Sequence, residues 1–175
     1  MQLKGANGAG KTSLLRVLAG LGRVDEGEVR WQGEPLRRSA DHRASLSYIA
    51  HANGLKLHLS AKENYVFYQS ITDSSSGITA DEALSRFGLQ NEADRPCAYL
   101  SMGQKRRAAL ARLLAARSRL WLLDEPLTSL DVAGTELVTA LLAAHLKDGG
   151  LAVLATHQLL PGTLPLRSLE LGSTP

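Results

Sequence analysis

Two apolar patterns alternate along the chain: short unbroken runs that suit buried strands, and spaced leucines that suit one face of a helix. Leu120-Trp121-Leu122-Leu123 is such a run and ends in Asp124-Glu125-Pro126, as a strand covered on both faces of a parallel sheet would. Leu151 to Ala155 is a second run, ending in Thr156-His157. Between them Leu137, Leu141 and Leu142 mark an amphipathic helix, so strand, helix and strand alternate. Near the start, Leu14, Leu15 and Leu18 share a helical face directly after Lys11-Thr12, with Gly20 as the stop. A short strand precedes that segment. Glu28 to Gln32 reads as another strand around Val29 and Trp31, after which Gly33-Glu34-Pro35 turns the chain.

From residue 58 to 117 the strand pattern fades and capped helix starts replace it. Ser60 with Glu63, Thr79 with Glu82, and Ser101 with Gln104 all have the spacing of a capping box, in which two side chains satisfy each other's free backbone donors. Gly88 supplies a helix stop. Asp73-Ser74-Ser75-Ser76-Gly77 reads as an exposed flexible loop. The chain is therefore expected to be one α/β domain in three stretches: residues 1–57 and 118–175 form the core, and 58–117 form a helical insertion.

Composition narrows the setting. With 175 residues and 44% hydrophobic content, the chain can bury a sizeable core. Its single cysteine, Cys97, excludes an intramolecular disulfide and suits a reducing compartment, with burial as a small apolar side chain its expected role. Met-Gln-Leu-Lys runs straight into a glycine-rich stretch, so no secretory leader is visible and a cytoplasmic place is expected. The longest uncharged stretch, Gly149 to Leu166, is broken by His157, Gln158, prolines and glycines, which excludes a membrane-spanning helix there. A net charge of +3 and a pI near 9.2 are too modest to imply a nucleic-acid partner. Arg37, Arg38, Arg106 and Arg107 accordingly read as solvated surface residues.

The candidate chemistry starts with Gly5-Ala6-Asn7-Gly8-Ala9-Gly10-Lys11-Thr12. In this pattern successive backbone N–H groups face phosphate oxygens, and the following helix N-terminus adds favourable partial charge. Lys11 is placed to reach the β- and γ-phosphates of ATP, and the Thr12 hydroxyl to ligate Mg²⁺. Of the two carboxylates, Asp124 can hold Mg²⁺, directly or through water, and Glu125 can polarise the attacking water, although spacing alone fixes neither role. Taken alone, Asp124-Glu125-Pro126 could equally begin a loop or cap a helix. His157, taken alone, reads as a structural histidine; at a strand end beside the γ-phosphate it becomes a catalytic candidate. In open parallel sheets ligands sit beyond the carboxyl ends of the strands, where the glycine loop, Asp124-Glu125 and His157 converge. The start at Ser101 offers a second anion site, although capping alone would account for it.

Together these segments resemble the ATP-binding subunits of ABC transporters. The motifs are the glycine loop, Leu100-Ser101-Met102-Gly103-Gln104, Leu-Leu-Asp-Glu-Pro, Ser129-Leu130-Asp131 and Thr156-His157, in family order. The resemblance implies a P-loop NTPase fold of ABC type, mostly parallel in its sheet, with an inserted helical subdomain. It also implies a sandwich dimer, in which Ser101, Gly103 and Gln104 complete the nucleotide site of a second copy and Asp131 sits at the subunit contact. Glu125 would be the general base and His157 the switch. Within the family the chain looks most like the ATP-binding subunits of cytochrome c biogenesis transporters, also called haem exporters. Asn-Gly-Ala-Gly-Lys-Thr-Ser-Leu-Leu-Arg-Val-Leu-Ala-Gly-Leu and Leu-Trp-Leu-Leu-Asp-Glu-Pro-Leu-Thr are among the stretches that carry this narrower match. It implies a polytopic inner-membrane permease as partner, a haem chaperone acted on indirectly, and a place on the cytoplasmic face of the bacterial inner membrane.

The sequence departs from the family pattern in three places. Family members begin further upstream, with strands and an adenine-stacking aromatic, so the chain reads as truncated at its N-terminus. Ala52 stands where a glutamine for Mg²⁺ is expected, with His51 and Asn53 as candidate substitutes. Met102 replaces the first signature glycine. Two alternatives stay open at this point: an ABC ATPase of another transporter, or a chain that binds nucleotide without turnover.

Overall fold

The computed structural model describes residues 1–36, 39–72, 75–158 and 164–172. Its centre is a five-stranded, all-parallel sheet in the order β4-β5-β6-β1-β7: Leu46–Ile49, Leu120–Asp124, Leu151–Ala155, Gln2–Lys4 and Ser168–Glu170. Every residue of β5 is buried, which accounts for its unbroken apolar run. β6 starts at an exposed Leu151 and is fully buried only near its carboxyl end. Asp124 pairs with Ala155, so the residues that follow the two strands leave the sheet side by side.

Helix α1, Lys11–Leu18, follows the glycine loop, with Gly10 as its N-cap at φ 91°. No side chain closes that N-terminus, so its free N–H groups remain available to an anion. Leu3, Leu15, Leu120, Leu122 and Ala155 form the core beneath α1. Helix α6, Val132–Lys147, starts at Asp131, whose Oδ1 accepts from Gly134 N at 2.8 Å. It packs Val138 and Leu142 into a larger core shared with α3, Ala61–Ser70, α4, Ala80–Arg86, and α5, Met102–Ala111. A short helix α2, Ala40–Ala44, leads into β4.

The expected strand at 28–32 is a two-residue strand, β2, Arg30–Trp31, paired antiparallel with β3, Glu34–Pro35. The turn therefore lies one residue earlier than the Gly33-Glu34-Pro35 reading. Gln32 and Gly33, at φ 51° and 88°, occupy the two left-handed positions that a tight hairpin demands.

The capping boxes at Ser60/Glu63 and Ser101/Gln104 are complete. Thr79 makes only half of its box: its hydroxyl caps Glu82 N, while the Glu82 carboxylate is drawn to Arg86 one turn on. Asp73 and Ser74 lie outside the described residues, but the rest of that loop is held rather than free. Ser76 donates from its backbone to Ala115 O at 3.1 Å and from its hydroxyl to Leu114 O, and Ser75 bridges to Ala116. Cys97 is fully buried, and burial pushes its thiol above the ordinary range.

Arg106 is the clearest reversal of an expectation. Rather than facing solvent, it is 3% exposed. Its place on the helix explains this, because Arg106, Leu110 and Leu113 follow at four and three residues and all turn inward. Arg107 is half-buried and donates to the carbonyls of Phe87 and Gly88 at 3.1 and 3.3 Å. Arg37 and Arg38 lie outside the described residues.

Candidate functional site

The carboxyl ends of β1, β5 and β6 open into one cleft of about 520 Å³. Asn7, Gly8, Gly10, Lys11 and Thr12 form one wall, Asp124 and Glu125 the floor, and His157 the opposite rim, with Ser13, His51 and Thr128 also lining it. Lys11 is buried, and its Nζ donates to the carbonyls of Gly5 at 2.7 Å and Ala6 at 2.9 Å. Gly5 and Ala6 thus act from behind, clasping the ammonium inside the curve of the loop. Gly5 also sits at φ 142° with Leu171 O only 2.5 Å from where a Cβ would be, so no other residue fits there. Ala9 packs behind the loop against Gly5 and Gly172 and does not line the cleft.

Thr12 Oγ1 donates to Asp124 Oδ2 at 2.9 Å across a sequence separation of 112. Asp124 is 2% exposed, and this bond holds one edge of its carboxylate towards the loop. A hydroxyl and a carboxylate brought together by hard oxygen atoms suit Mg²⁺, which takes few protein ligands and completes its shell with water and phosphate oxygens. The donor set therefore fits that ion. Among the described residues no group of three or more His, Cys, Asp or Glu is placed to hold a metal ion.

Glu125 has φ 47°, a left-handed conformation that a non-glycine residue adopts only when its surroundings enforce it. Its N–H donates to Ala155 O at 2.7 Å, and its carbonyl accepts from Thr128 N at 3.2 Å. Its carboxylate is 3.7 Å from His157 Nε2, and the two side chains are 19% and 49% exposed. A carboxylate reached by water and an imidazole across from it form the pair that proton transfer to or from a bound water requires.

Ser101, Gly103 and Gln104 do not join this cleft. They line a separate hollow of about 190 Å³ with Arg107, Ser129, Leu130 and Asp131. Ser101 Oγ accepts from Gln104 N at 3.1 Å, and Gln104 Oε1 accepts from Ser101 N at 2.8 Å. Met102 is 63% exposed and does not line the hollow. Of the two candidates for the glutamine's task, His51 lines the cleft, while Asn53 is engaged elsewhere, its Oδ1 accepting from Arg106 Nη1 at 3.0 Å. Sequence reasoning missed Thr128, whose short polar side chain three residues beyond Glu125 carried no separate signal.

Comparison with known proteins decides the family. The ABC transporter family matches residues 1–128. The chain belongs to the ABC transporter family. It is 52% identical over 164 residues to the cytochrome c biogenesis ATP-binding export protein CcmA of Salmonella typhi, covering 93% of this chain and 78% of that one. It is 45% identical over 175 residues to the CcmA of Vibrio vulnificus, covering 98% and 85%. The ATP-binding cassette MJ0796, solved as a dimer in a post-hydrolysis state bound to ADP and Pi, superposes with a TM-score of 0.77 at 26% identity, over 90% of this chain and 74% of that one. An ABC transporter ATP-binding protein from Pyrococcus furiosus shares the fold at a TM-score of 0.80 and 19% identity, over 97% and 82%. This ABC chain is thus an α/β P-loop ATPase by family and fold. None of its described helices is long and apolar enough to cross a membrane.

Proposed function

We propose that this ABC ATPase hydrolyses Mg-ATP as the nucleotide-binding subunit of a transporter serving cytochrome c biogenesis, in haem export or in the release of a haem-loaded chaperone. The observation that carries the enzymatic part is the convergence of the Lys11 loop, the Thr12–Asp124 pair and Glu125 in one cleft. The 52% identity to a protein named for cytochrome c biogenesis supports the biological assignment.

In this reading the N–H groups from Asn7 to Thr12 cradle the phosphates, and Lys11 neutralises their charge. Thr12 and Asp124 would hold Mg²⁺, which would supply charge stabilisation at the phosphates when bound. Glu125 orients and deprotonates the attacking water, and His157 lends a hydrogen bond beside it. Ser101, Gly103 and Gln104 serve the site of a second copy. The permease of the inner membrane and, through it, a haem chaperone are the further partners, with the subunit docked at the cytoplasmic face.

Replacing Glu125 by Gln tests the chemistry. Binding of Mg-ATP should persist, measured by calorimetry, while turnover falls by about 10²- to 10⁴-fold, the usual contribution of a positioned general base. Undiminished turnover would remove Glu125 from the mechanism. Co-purification of the wild-type chain with a polytopic permease tests the assignment, and its consistent absence counts against a transporter role.

A further inference from the structure

Arg106 sends all five of its N–H donors into the protein. Nη2 donates to Asp124 O at 2.7 Å and Glu125 O at 2.8 Å, and Nε donates to Pro126 O at 3.2 Å. Nη1 donates to Ala50 O and Asn53 Oδ1, both at 3.0 Å. A planar guanidinium carries five donors in a fixed fork, so these five bonds exhaust it. Four acceptors are backbone carbonyls and the fifth is a neutral amide, so no carboxylate oxygen touches the buried cation. Burial pushes its pKa down to about 10, and the Asp124 and Glu125 carboxylates act in the opposite direction, so it keeps its charge at neutral pH.

The acceptors belong to two segments far apart in sequence. One is the turn that carries both catalytic carboxylates, including Glu125 at its left-handed φ of 47°. The other is the loop from Ala50 to Gly54, which presents His51 to the cleft. Arg112, six residues along, grips the same loop: Nη2 donates to Asn53 O at 2.8 Å and Nη1 to Gly54 O at 3.1 Å. Arg106 lies on α5, which begins at the Ser101 cap and ends with Arg112 as its C-cap, so the hollow around Gly103 and the hydrolytic end of β5 are joined through one helix. Five bonds divided between two segments fix their relative position.

We infer that Arg106 is a positioning residue for hydrolysis: its guanidinium fork holds the Asp124–Pro126 turn and the 50–53 loop in register, so that the Glu125 carboxylate and His51 face the bound phosphates. The inference rests on the proposed ATPase reading for its catalytic consequence, but not for its structural one. All five N–H donors of Arg106 are taken by protein acceptors, which leaves none to reach a ligand. Its loss therefore acts on the rate of the chemical step and leaves the phosphate cradle of residues 5–12 intact.

Arg106→Gln and Arg106→Lys, made in the full chain, test this by two readouts. Amide hydrogen exchange should rise in segments 50–54 and 124–128 of both variants, while helix 61–70 and strand 151–155 exchange as in the wild type. In the same variants kcat should fall by about 10²-fold, the effect of a displaced catalytic group, with KM for Mg-ATP nearly unchanged. Lysine retains the charge but not the fork, so full kcat in Arg106→Lys would reduce the residue to an electrostatic role and overturn the inference. Unaltered exchange in either segment would also overturn it, and that measurement needs no turnover. A wild-type chain that neither binds nor hydrolyses ATP would sink the ATPase reading instead, leaving the exchange result to decide on Arg106. If Arg106→Gln does not fold, Arg106→Lys carries both readouts.

Discussion

Gly103 lies against Ser129 so closely that a Cβ on the glycine would sit 2.8 Å from the Ser129 carbonyl oxygen. The contact joins the first turn of α5 to the loop after β5, and Ser129 itself is left-handed at φ 66°. Neither side has slack, because Ser129 is followed by Leu130 and by Asp131, the cap of α6. Gly103→Ala should therefore push the two loops apart at a cost of about 1–3 kcal/mol, the range for overpacking. Turnover should drop at least as steeply as stability, since Gly103 and Asp131 line the hollow assigned to the second copy. Thermal unfolding and steady-state ATPase assays on the same preparation check this; wild-type values in both would mean that the hollow has no part in turnover.

Lys11 is held by two carbonyls of its own loop, so its removal costs shape as well as charge. A hydrogen bond to a charged group contributes about 1.5–3 kcal/mol. Lys11→Ala should weaken Mg-ATP binding by at least about 10-fold, since each 1.4 kcal/mol is a factor of ten. Calorimetric titration measures it, and an unchanged Kd would show that the loop holds nucleotide without its cation.

Phe87 is 0% exposed, caps the end of α4 within the larger core and does not line the cleft. Phe87→Ala should lower unfolding free energy by about 3–5 kcal/mol, the range for a fully buried aromatic. Urea titration gives this number directly. Mg-ATP affinity measured well below the transition should not change, and a large loss there would mean that the core Phe87 shares with Leu123 and Leu154 transmits its repacking to the cleft.

His145 stacks on Trp121 with ring centroids 3.7 Å apart and planes 4° from parallel. Burial pulls its pKa below the ordinary value; hydrogen bonds with Leu151 and Arg119 backbone and the nearby Asp148 oppose this less strongly. The folded state therefore binds its proton less readily than the unfolded chain. Stability from this group is complete above the unfolded value, about 6.5, and is lost as pH falls from there through the lower folded value. His42, which is buried where His145 is half-buried, is likewise shifted down and acts in the same direction. Urea unfolding from pH 7.5 to 5 should show stability falling with acidity, less steeply in His145→Gln. Equal slopes would show that His145 is not a source of the effect.

The glycine loop, β5, β6 and two complete capping boxes were legible because each rests on residues within a few positions of one another. β4 was not: Leu46-Ser47-Tyr48-Ile49 has only four residues, and its strand state comes from pairing with β5 more than seventy positions away. β7 is exposed along its whole length, so no apolar pattern marks it. The same limit hid Arg106, whose burial depends on carbonyls from two distant segments. Its helical spacing with Leu110 and Leu113 was the one local sign, and an arginine on that face looked like an interruption. In the cleft, the placement of Asp124, Glu125 and His157 followed from strand ends read together with the glycine loop, whereas Asn53 could be assigned to Arg106 only in three dimensions.

Cys97 offers a practical consequence. It is the chain's one thiol, wholly buried, and its raised pKa keeps the reactive thiolate scarce at neutral pH. The unmodified protein is thus already a quiet background for attaching dyes or spin labels. A cysteine introduced at an exposed position such as Met102 would take the label alone, and distances between labels on two copies would report directly on how those copies approach one another.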